Sequence, residues 1–346
     1  MADFSIIDAR TSPEWDAFLQ TRPDATVFHT SAWCRVLTDT YGYKPAYVVS
    51  RDASGELTGG VPLMLVNSWL TSRRLVGLPF SDVCQPLLPA EGAAELLVAA
   101  RQQAEPLKAT AVELRGPSHA KMPDAGFSNG TVFYQHIVDL DDAMDSRVQS
   151  SARRAIRKAQ NEGVTVRQSI SAKDMRRFYD LMVLTRRKHG LLPQPWRFFR
   201  NIQRQLMENE MGLLLVAEHN GKVIAGDLLL RFGDQLVYKF NASDPRYLSV
   251  RPNNLLLWQA MQFGRDQGCR TLDLGRCEVD NEGLRRFKLL WGSREEQLPY
   301  YHYPADEGSS SLLASRTART ALQLFVRFSP GPVLQAAGSV LYRSFG

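Results

Sequence analysis

Apolar residues recur along this chain in two rhythms, and the alternation between them lays out the elements. Ala46–Ser50 and Val61–Val66 are short apolar runs joined by a polar stretch through Asp52 to Gly60. Leu213–Glu218 and Val223–Leu230 repeat that arrangement around His219-Asn220-Gly221-Lys222. Each pair reads as strand, turn, strand. Asn-Gly is a strong tight-turn signal, because both central residues of such a turn take positive φ. Helical rhythm precedes each hairpin. In the first half, Ser12-Pro13-Glu14 opens a helix with a cap, a proline and an acid in the first turn. A second helix spans Thr30–Thr40, with Trp33, Val36 and Leu37 on one face; a third spans Ala93–Leu107 and leads into a strand at Ala111–Arg115.

The second half opens with a polar link, Asp139–Arg147, and a helix over Arg147–Glu162 that Gly163 stops. A strand follows at Val164–Gln168, then helices at Ala172–His189 and around Trp196–Glu208. After the hairpin come a strand at Gln235–Phe240, a helix entered through Arg251-Pro252-Asn253-Asn254, and a strand at Cys269–Leu274. Leu255, Leu256, Trp258, Met261 and Phe263 give that helix a wide apolar face. Strand, helix, strand in this order predicts a parallel crossover. In α/β folds the carboxyl end of such a strand is the usual ligand position. Here that end is Asp273-Leu-Gly-Arg-Cys-Glu-Val-Asp-Asn-Glu-Gly-Leu-Arg-Arg-Phe-Lys-Leu-Leu-Trp-Gly292.

Repetition of one unit predicts an α/β chain of two related domains, 1–140 and 141–305, with a helical tail at 306–346. A length of 346 residues, with 44% hydrophobic and 23% charged residues, suits two soluble domains. The net charge of +6 favours an anionic partner. Four cysteines show neither metal-binding spacing nor a disulfide framework, and six scattered histidines give no ligand pair, so no metal is expected. MADFSIIDAR lacks the pattern of a signal peptide, and no run is long enough for a membrane helix. The expected location is cytoplasmic.

Several polar groups carry candidate chemistry. The helix start at Arg251, Asn253 and Asn254 either caps itself or offers its N–H groups to a phosphate. Arg153, Arg154, Arg157 and Lys158 share one broad helix face that suits phosphates. Lys288 is either a surface lysine or a charge that stabilises an oxyanion. Asp273 is expected to orient either an arginine, with Arg276 as its neighbour, or a backbone turn, and Trp291 reads as packing that pins the loop. Ser81 and Asp82 form either a turn or a seat for an amine. No Ser-His-Asp or Cys-His set stands out. Transfer from an activated donor needs no protein nucleophile, only alignment, a deprotonated amine and a charge-stabilising donor at the carbonyl oxygen.

Taken together, TVFHTSAWCRVL (26–37), GVPLMLV (60–66), LVGLPFSDVCQPLL (75–88), SSARRAIRKAQNEGV (150–164) and DLGR…FKLLWG (273–292) resemble the FemAB-like branch of the acetyltransferase (GNAT) superfamily. The tail, with Pro330-Gly-Pro332, resembles the subgroup associated with PEP-CTERM and exopolysaccharide systems. The resemblance implies tandem GNAT-like domains with mixed sheets flanked by helices. It implies acyl or aminoacyl transfer to an amine of a cell-envelope or exopolysaccharide precursor. The co-substrate would be aminoacyl-tRNA or acyl-CoA, with no tightly bound cofactor. It also implies that Phe287 and Lys288 match the Phe-Lys pair that meets the acceptor end of the tRNA. Asp82, Arg276 and Trp291 fall in matched motifs. The alternatives are an acyl-CoA-dependent acetyltransferase acting on an amino sugar and a catalytically idle binding module.

The tail carries Arg316, Arg319, Arg327 and Arg343 and no acid after Glu307. Leu312–Phe328 and Val333–Phe345 both show an amphipathic helical rhythm. Such a pair either lies on an anionic membrane surface or docks on its own core.

Overall fold

The computed structural model describes residues 3–68, 72–116, 122–304 and 316–344, and they form two compact units. The first holds the described residues up to Tyr134, together with 296–304 and 341–344. The second holds 135–295 and the tail up to Val340.

In the first unit the chain runs β1 (Asp3–Ile7), α1 (Pro13–Gln20), α2 (Ser31–Tyr41), β2 (Lys44–Pro45), β3 (Tyr47–Arg51), β4 (Leu57–Val61), β5 (Met64–Ser68), β6 (Ser72–Val76), α3 (Ala93–Gln102), β7 (Ala111–Arg115) and the start of β8 (Ser128–Asp139). The hairpin expected at 46–66 forms, but its second strand is cut in two. β4 pairs antiparallel with β3, whereas β5 pairs with β2 and β6 in a different sheet. Pro62 sits at the cut. It has no N–H to offer a ladder, so the strand changes sheet there. β6 and β7 are parallel. Buried Trp15, Trp33 and Tyr47 are among the largest side chains of this unit's core.

The second unit takes up the later half of β8 and continues through α4 (Met144–Arg147), α5 (Ser150–Asn161), β9 (Thr165–Ser169), α6 (Ala172–Lys188), α7 (Trp196–Gln205), β10 (Gly212–His219), β11 (Lys222–Phe232), β12 (Gln235–Ser243), α8 (Pro252–Asp266), β13 (Thr271–Glu278), α9 (Glu282–Leu289) and the first residues of β14 (Arg294–Tyr303). Its sheet order is β8-β13-β12-β11-β10-β9. β12 and β13 pair in parallel, as the crossover pattern predicts, while the pairs β9–β10, β10–β11 and β11–β12 are antiparallel. The sheet is therefore mixed.

α5 and α8 bury Ala152, Ile156, Leu256, Ala260 and Met261 in one apolar core with Leu215, Leu229, Leu236 and Leu272 of the sheet. α6 and α7 cover the opposite face, where Phe178 fills the space a side chain at Gly226 would need. Beyond β14 lie α10 (Arg316–Phe328) and α11 (Gly331–Leu341). The part of the expected tail helix at 312–315 lies outside the described residues.

Candidate active site

The second unit contains a cavity of about 710 Å³, open at the start of α8. Three elements build it. α5 presents Arg154 and Lys158, α8 presents Arg251, Asn253 and Asn254 at its N-terminus, and α9 presents Leu284 and Phe287. Tyr238 and Asn241 of β12 also line it. No aspartate or glutamate is among the lining residues, while three cations are. The 15-residue α8 begins with Pro252 and has no side-chain cap on its first turn. Its positive dipole end therefore adds to the field of the cations.

Asn253 is not a cap. Its Oδ1 accepts from Asn241 Nδ2 at 3.4 Å, and its Nδ2 donates to Ser243 Oγ at 3.3 Å. The side chain thus ties the helix start to β12. Arg251 takes a left-handed conformation, with φ of 59°, as the chain turns into α8. The cations of α5 are exposed; Arg154 touches Ser150 Oγ at 3.3 Å.

Phe287 and Lys288, adjacent in α9, go to different places. Phe287 is on the cavity wall, with its ring centroid 6.2 Å from that of buried Trp291. Lys288 is only 6% exposed and is not among the lining residues. Its Nζ donates to the carbonyls of Gly275 at 2.7 Å and Arg276 at 3.1 Å. Asp273 supports the same bend: its Oδ1 accepts from the Gly275 N–H at 2.7 Å, and its Oδ2 accepts from Gln135 Nε2 at 2.9 Å. Asp273 and Lys288 therefore grip one stretch of backbone from two sides.

Beside Lys288 lies a buried imidazole. His136 Nε2 is 2.9 Å from Glu295 Oε2, and Glu295 is also held bidentately by Arg285 at 2.8 and 2.9 Å. Burial, with the charge of Lys288, pushes His136 down to about 4, so it is neutral at physiological pH. Ser81 and Asp82 belong to the first unit. Ser81 is fully buried and its Oγ accepts from Trp33 Nε1 at 2.8 Å, while the Asp82 carbonyl accepts from Tyr300 Oη at 3.1 Å.

One carboxyl in this unit has no forerunner in the sequence reading. Asp227 of β11 is fully buried. Its Oδ1 accepts from Asn241 Nδ2 at 2.7 Å and from Tyr238 Oη at 2.9 Å. Burial pushes it up to about 7, against those two hydrogen bonds. A bulge makes the contact. Leu228 pairs with Phe240 but Leu229 pairs with Tyr238, leaving Lys239 as the extra residue. Strict alternation would send Tyr238 and Asn241 to opposite faces; the bulge turns both to the cavity side.

Residues 146–295 match the family described as the acetyltransferase (GNAT) domain. The lipid II:glycine glycyltransferase of Staphylococcus haemolyticus is 29% identical over 121 residues, which are 33% of this chain and 28% of that protein. The chain thus spans under a third of the length of that curated relative. The crystal structure of FemX is similar in fold, with a TM-score of 0.68 and 18% identity, covering 86% of this chain and 96% of that one. A tandem GNAT protein from the clavulanic acid biosynthesis pathway has a TM-score of 0.54 at 12% identity, covering 88% of this chain and all (100%) of that one. The expected mixed α/β fold of tandem GNAT type is the fold found.

Proposed function

We propose that the chain transfers an acyl or aminoacyl group from an activated donor to an amine of a cell-envelope precursor. The observation that carries this is the cavity itself. In a GNAT-type domain, Arg154, Lys158, Arg251 and the uncapped start of α8 converge on one space with Phe287 at its wall. Such a field suits the phosphates of the donor, whether acyl-CoA or the acceptor end of an aminoacyl-tRNA.

The chemistry needs no covalent enzyme intermediate. The amine nitrogen attacks the carbonyl carbon of the thioester or ester, a new C–N bond forms, and the C–S or C–O bond of the donor breaks. One proton leaves the nitrogen and one is taken by the departing thiolate or alkoxide. Phe287 packs against the donor. Lys288 supplies a buried positive charge and holds the 275–276 backbone in place. Asp273, Arg276 and Trp291 keep α9 and the end of β13 in register, and Ser81 and Asp82 of the first unit are assigned to acceptor binding.

We assign the acceptor to the envelope class because lipid II:glycine glycyltransferases are among the proteins similar to this chain. The finer acceptor is an exopolysaccharide precursor of the kind associated with PEP-CTERM systems, handled on the cytoplasmic side of the membrane. The tail supports a peripheral contact there. Among the described residues no helix is long and apolar enough to cross a membrane. Val326, Leu334 and Gly338 are buried, so α10 and α11 dock by one face. Leu324, Phe325, Phe328, Val333 and Val340 remain exposed, Phe328 by 73%. α10 borders a hollow of about 640 Å³ whose lining includes Arg187, Lys188 and Arg327. Exposed apolar groups beside cations fit an anionic lipid surface.

The test is transfer of label. Purified protein is given radiolabelled glycyl-tRNA or acetyl-CoA, with lipid II or an amino sugar as acceptor. Labelled amide product from glycyl-tRNA supports aminoacyl transfer. Product from acetyl-CoA onto the amino sugar moves the assignment to the acetyltransferase. No product from either donor contradicts the proposal.

A further inference from the structure

Among the described residues no carboxylate or imidazole lines the cavity, yet an amine that attacks a carbonyl must lose a proton. Asp227 stands directly behind the lining. Both of the groups that touch its Oδ1, Tyr238 Oη and Asn241 Nδ2, come from residues on the cavity wall. Its other oxygen, Oδ2, is buried without a hydrogen-bond partner.

That geometry is poor for stability. A buried carboxyl with one orphan oxygen carries an uncompensated desolvation cost that an apolar residue at the same position would avoid. Among the described residues, the groups that act on it are Tyr238 and Asn241, and neither is a cation. Without a compensating charge, burial leaves the carboxyl able to hold a proton near neutrality.

We infer that Asp227 is the proton acceptor of the transfer reaction, acting through the Tyr238 hydroxyl. The inference rests on the proposed acyl transfer. As the amine nitrogen forms its bond to the carbonyl carbon, its proton passes to the Tyr238 oxygen, and the Tyr238 proton passes along the existing 2.9 Å hydrogen bond to Asp227 Oδ1. Tyr238 ends as a phenol and Asp227 as a neutral acid, so charge and protons balance. Asn241 is a positioning residue. It orients the carboxylate, and through Asn253 Oδ1 it links that orientation to the start of α8. The β12 bulge at Lys239 is the backbone device that lets one strand supply both partners.

The experiment compares wild-type protein with Asp227→Asn and Tyr238→Phe, measuring kcat, KM for the donor, and the pH dependence of kcat with whichever donor the wild type uses. The expected result is a fall in kcat of about 10²–10⁴-fold in both variants with donor KM unchanged. The limb of the pH profile that rises towards neutrality should vanish in Asp227→Asn. Stability serves as the control. Because the carboxyl is raised, its contribution to stability is full at low pH and is lost as pH rises through about 7, so Asp227→Asn should unfold no more readily than wild type at pH above 7. Turnover and pH profile unchanged in Asp227→Asn overturn the inference and leave acyl transfer standing. A raised KM with an intact profile reduces Asp227 to a packing role and also overturns it. A wild type that transfers from neither donor overturns the proposed function and this inference with it.

Discussion

Lys288 Nζ donates to the Gly275 carbonyl at 2.7 Å from a position that is almost wholly buried. With a second bond to the Arg276 carbonyl at 3.1 Å, it joins α9 to the bend in β13 that Asp273 supports from the other side. It makes Lys288 part of the frame as well as a source of charge. Substitution by alanine strands two buried carbonyls and leaves a void. The expected cost is roughly 2–4 kcal/mol of stability, read by urea denaturation, in addition to any loss of turnover. A Lys288→Ala protein as stable as wild type would refute the framing role.

Arg154 and Lys158 differ from Lys288 in being exposed on α5. Arg154→Ala with Lys158→Ala should leave the unfolding midpoint within about 0.5 kcal/mol of wild type. Donor affinity should fall instead, and the salt dependence of tRNA binding should flatten by about one unit of slope per lost phosphate contact. Filter binding over a range of salt concentrations reads both effects.

His136 predicts a specific acid sensitivity. Its folded pKa is depressed to about 4 from the ordinary 6.5, so the neutral ring favours the fold above pH 6.5 and that contribution is lost as pH falls through about 4. Carboxylates such as Asp174, held low by Arg167, also weaken the fold in acid. The diagnostic quantity is therefore the difference between wild type and His136→Gln. The wild type should lose more stability than the variant between pH 6.5 and 4, measured by thermal unfolding.

Gly292 sits where the turn after α9 meets α4, with φ of 74°. A side-chain carbon there would stand 2.5 Å from Arg147 Cβ and 3.1 Å from the Arg147 carbonyl oxygen. Gly292→Ala should cost about 1–3 kcal/mol through strain and collision together. It should also lower turnover, because the same turn sets the position of Phe287. Calorimetry and the transfer assay check the two parts.

The outer face of α10 and α11 makes a separate prediction. Phe325→Asp with Phe328→Asp changes exposed side chains, so stability should hold while binding to phosphatidylglycerol vesicles falls. Sedimentation against phosphatidylcholine vesicles is the comparison. Equal binding by wild type and variant would remove the membrane contact from the account.

Much of the second unit was legible because its signals are local. Asn220-Gly221 marks the hairpin, Gly163 and Gly190 mark helix ends, and the apolar face of 255–263 marks a crossover helix. These features depend on neighbours a few residues apart. What was not legible depends on register and on distant partners. Pro62 was visible, but that it moves the strand to another sheet was not. The strands at 128–139 and 294–303 were missed. Gly130 and the polar positions of the first blur its alternation, and Pro299 interrupts the second. Lys288 follows Arg285 and Arg286 in a charged segment that reads as surface; only the carbonyls of the β13 bend make its burial affordable. The Asp227 set was hidden for a further reason. A one-residue bulge brings Tyr238 and Asn241 to the same face, and strand periodicity argues against that. A lone aspartate within Ala225-Gly-Asp-Leu-Leu-Leu230, a buried run, was the available clue.

The account turns on whether the cavity at the start of α8 holds the donor. The most direct measurement is the thermal unfolding midpoint of wild type and of the Arg154→Ala, Lys158→Ala protein, each with acetyl-CoA or with charged tRNA. A ligand that binds only the folded state at a hundredfold excess over its Kd stabilises by about 2.7 kcal/mol. The account predicts an upward shift with one of the two donors in wild type, and its loss or marked reduction in the variant. No shift with either donor, or a shift of equal size in the variant, would contradict it.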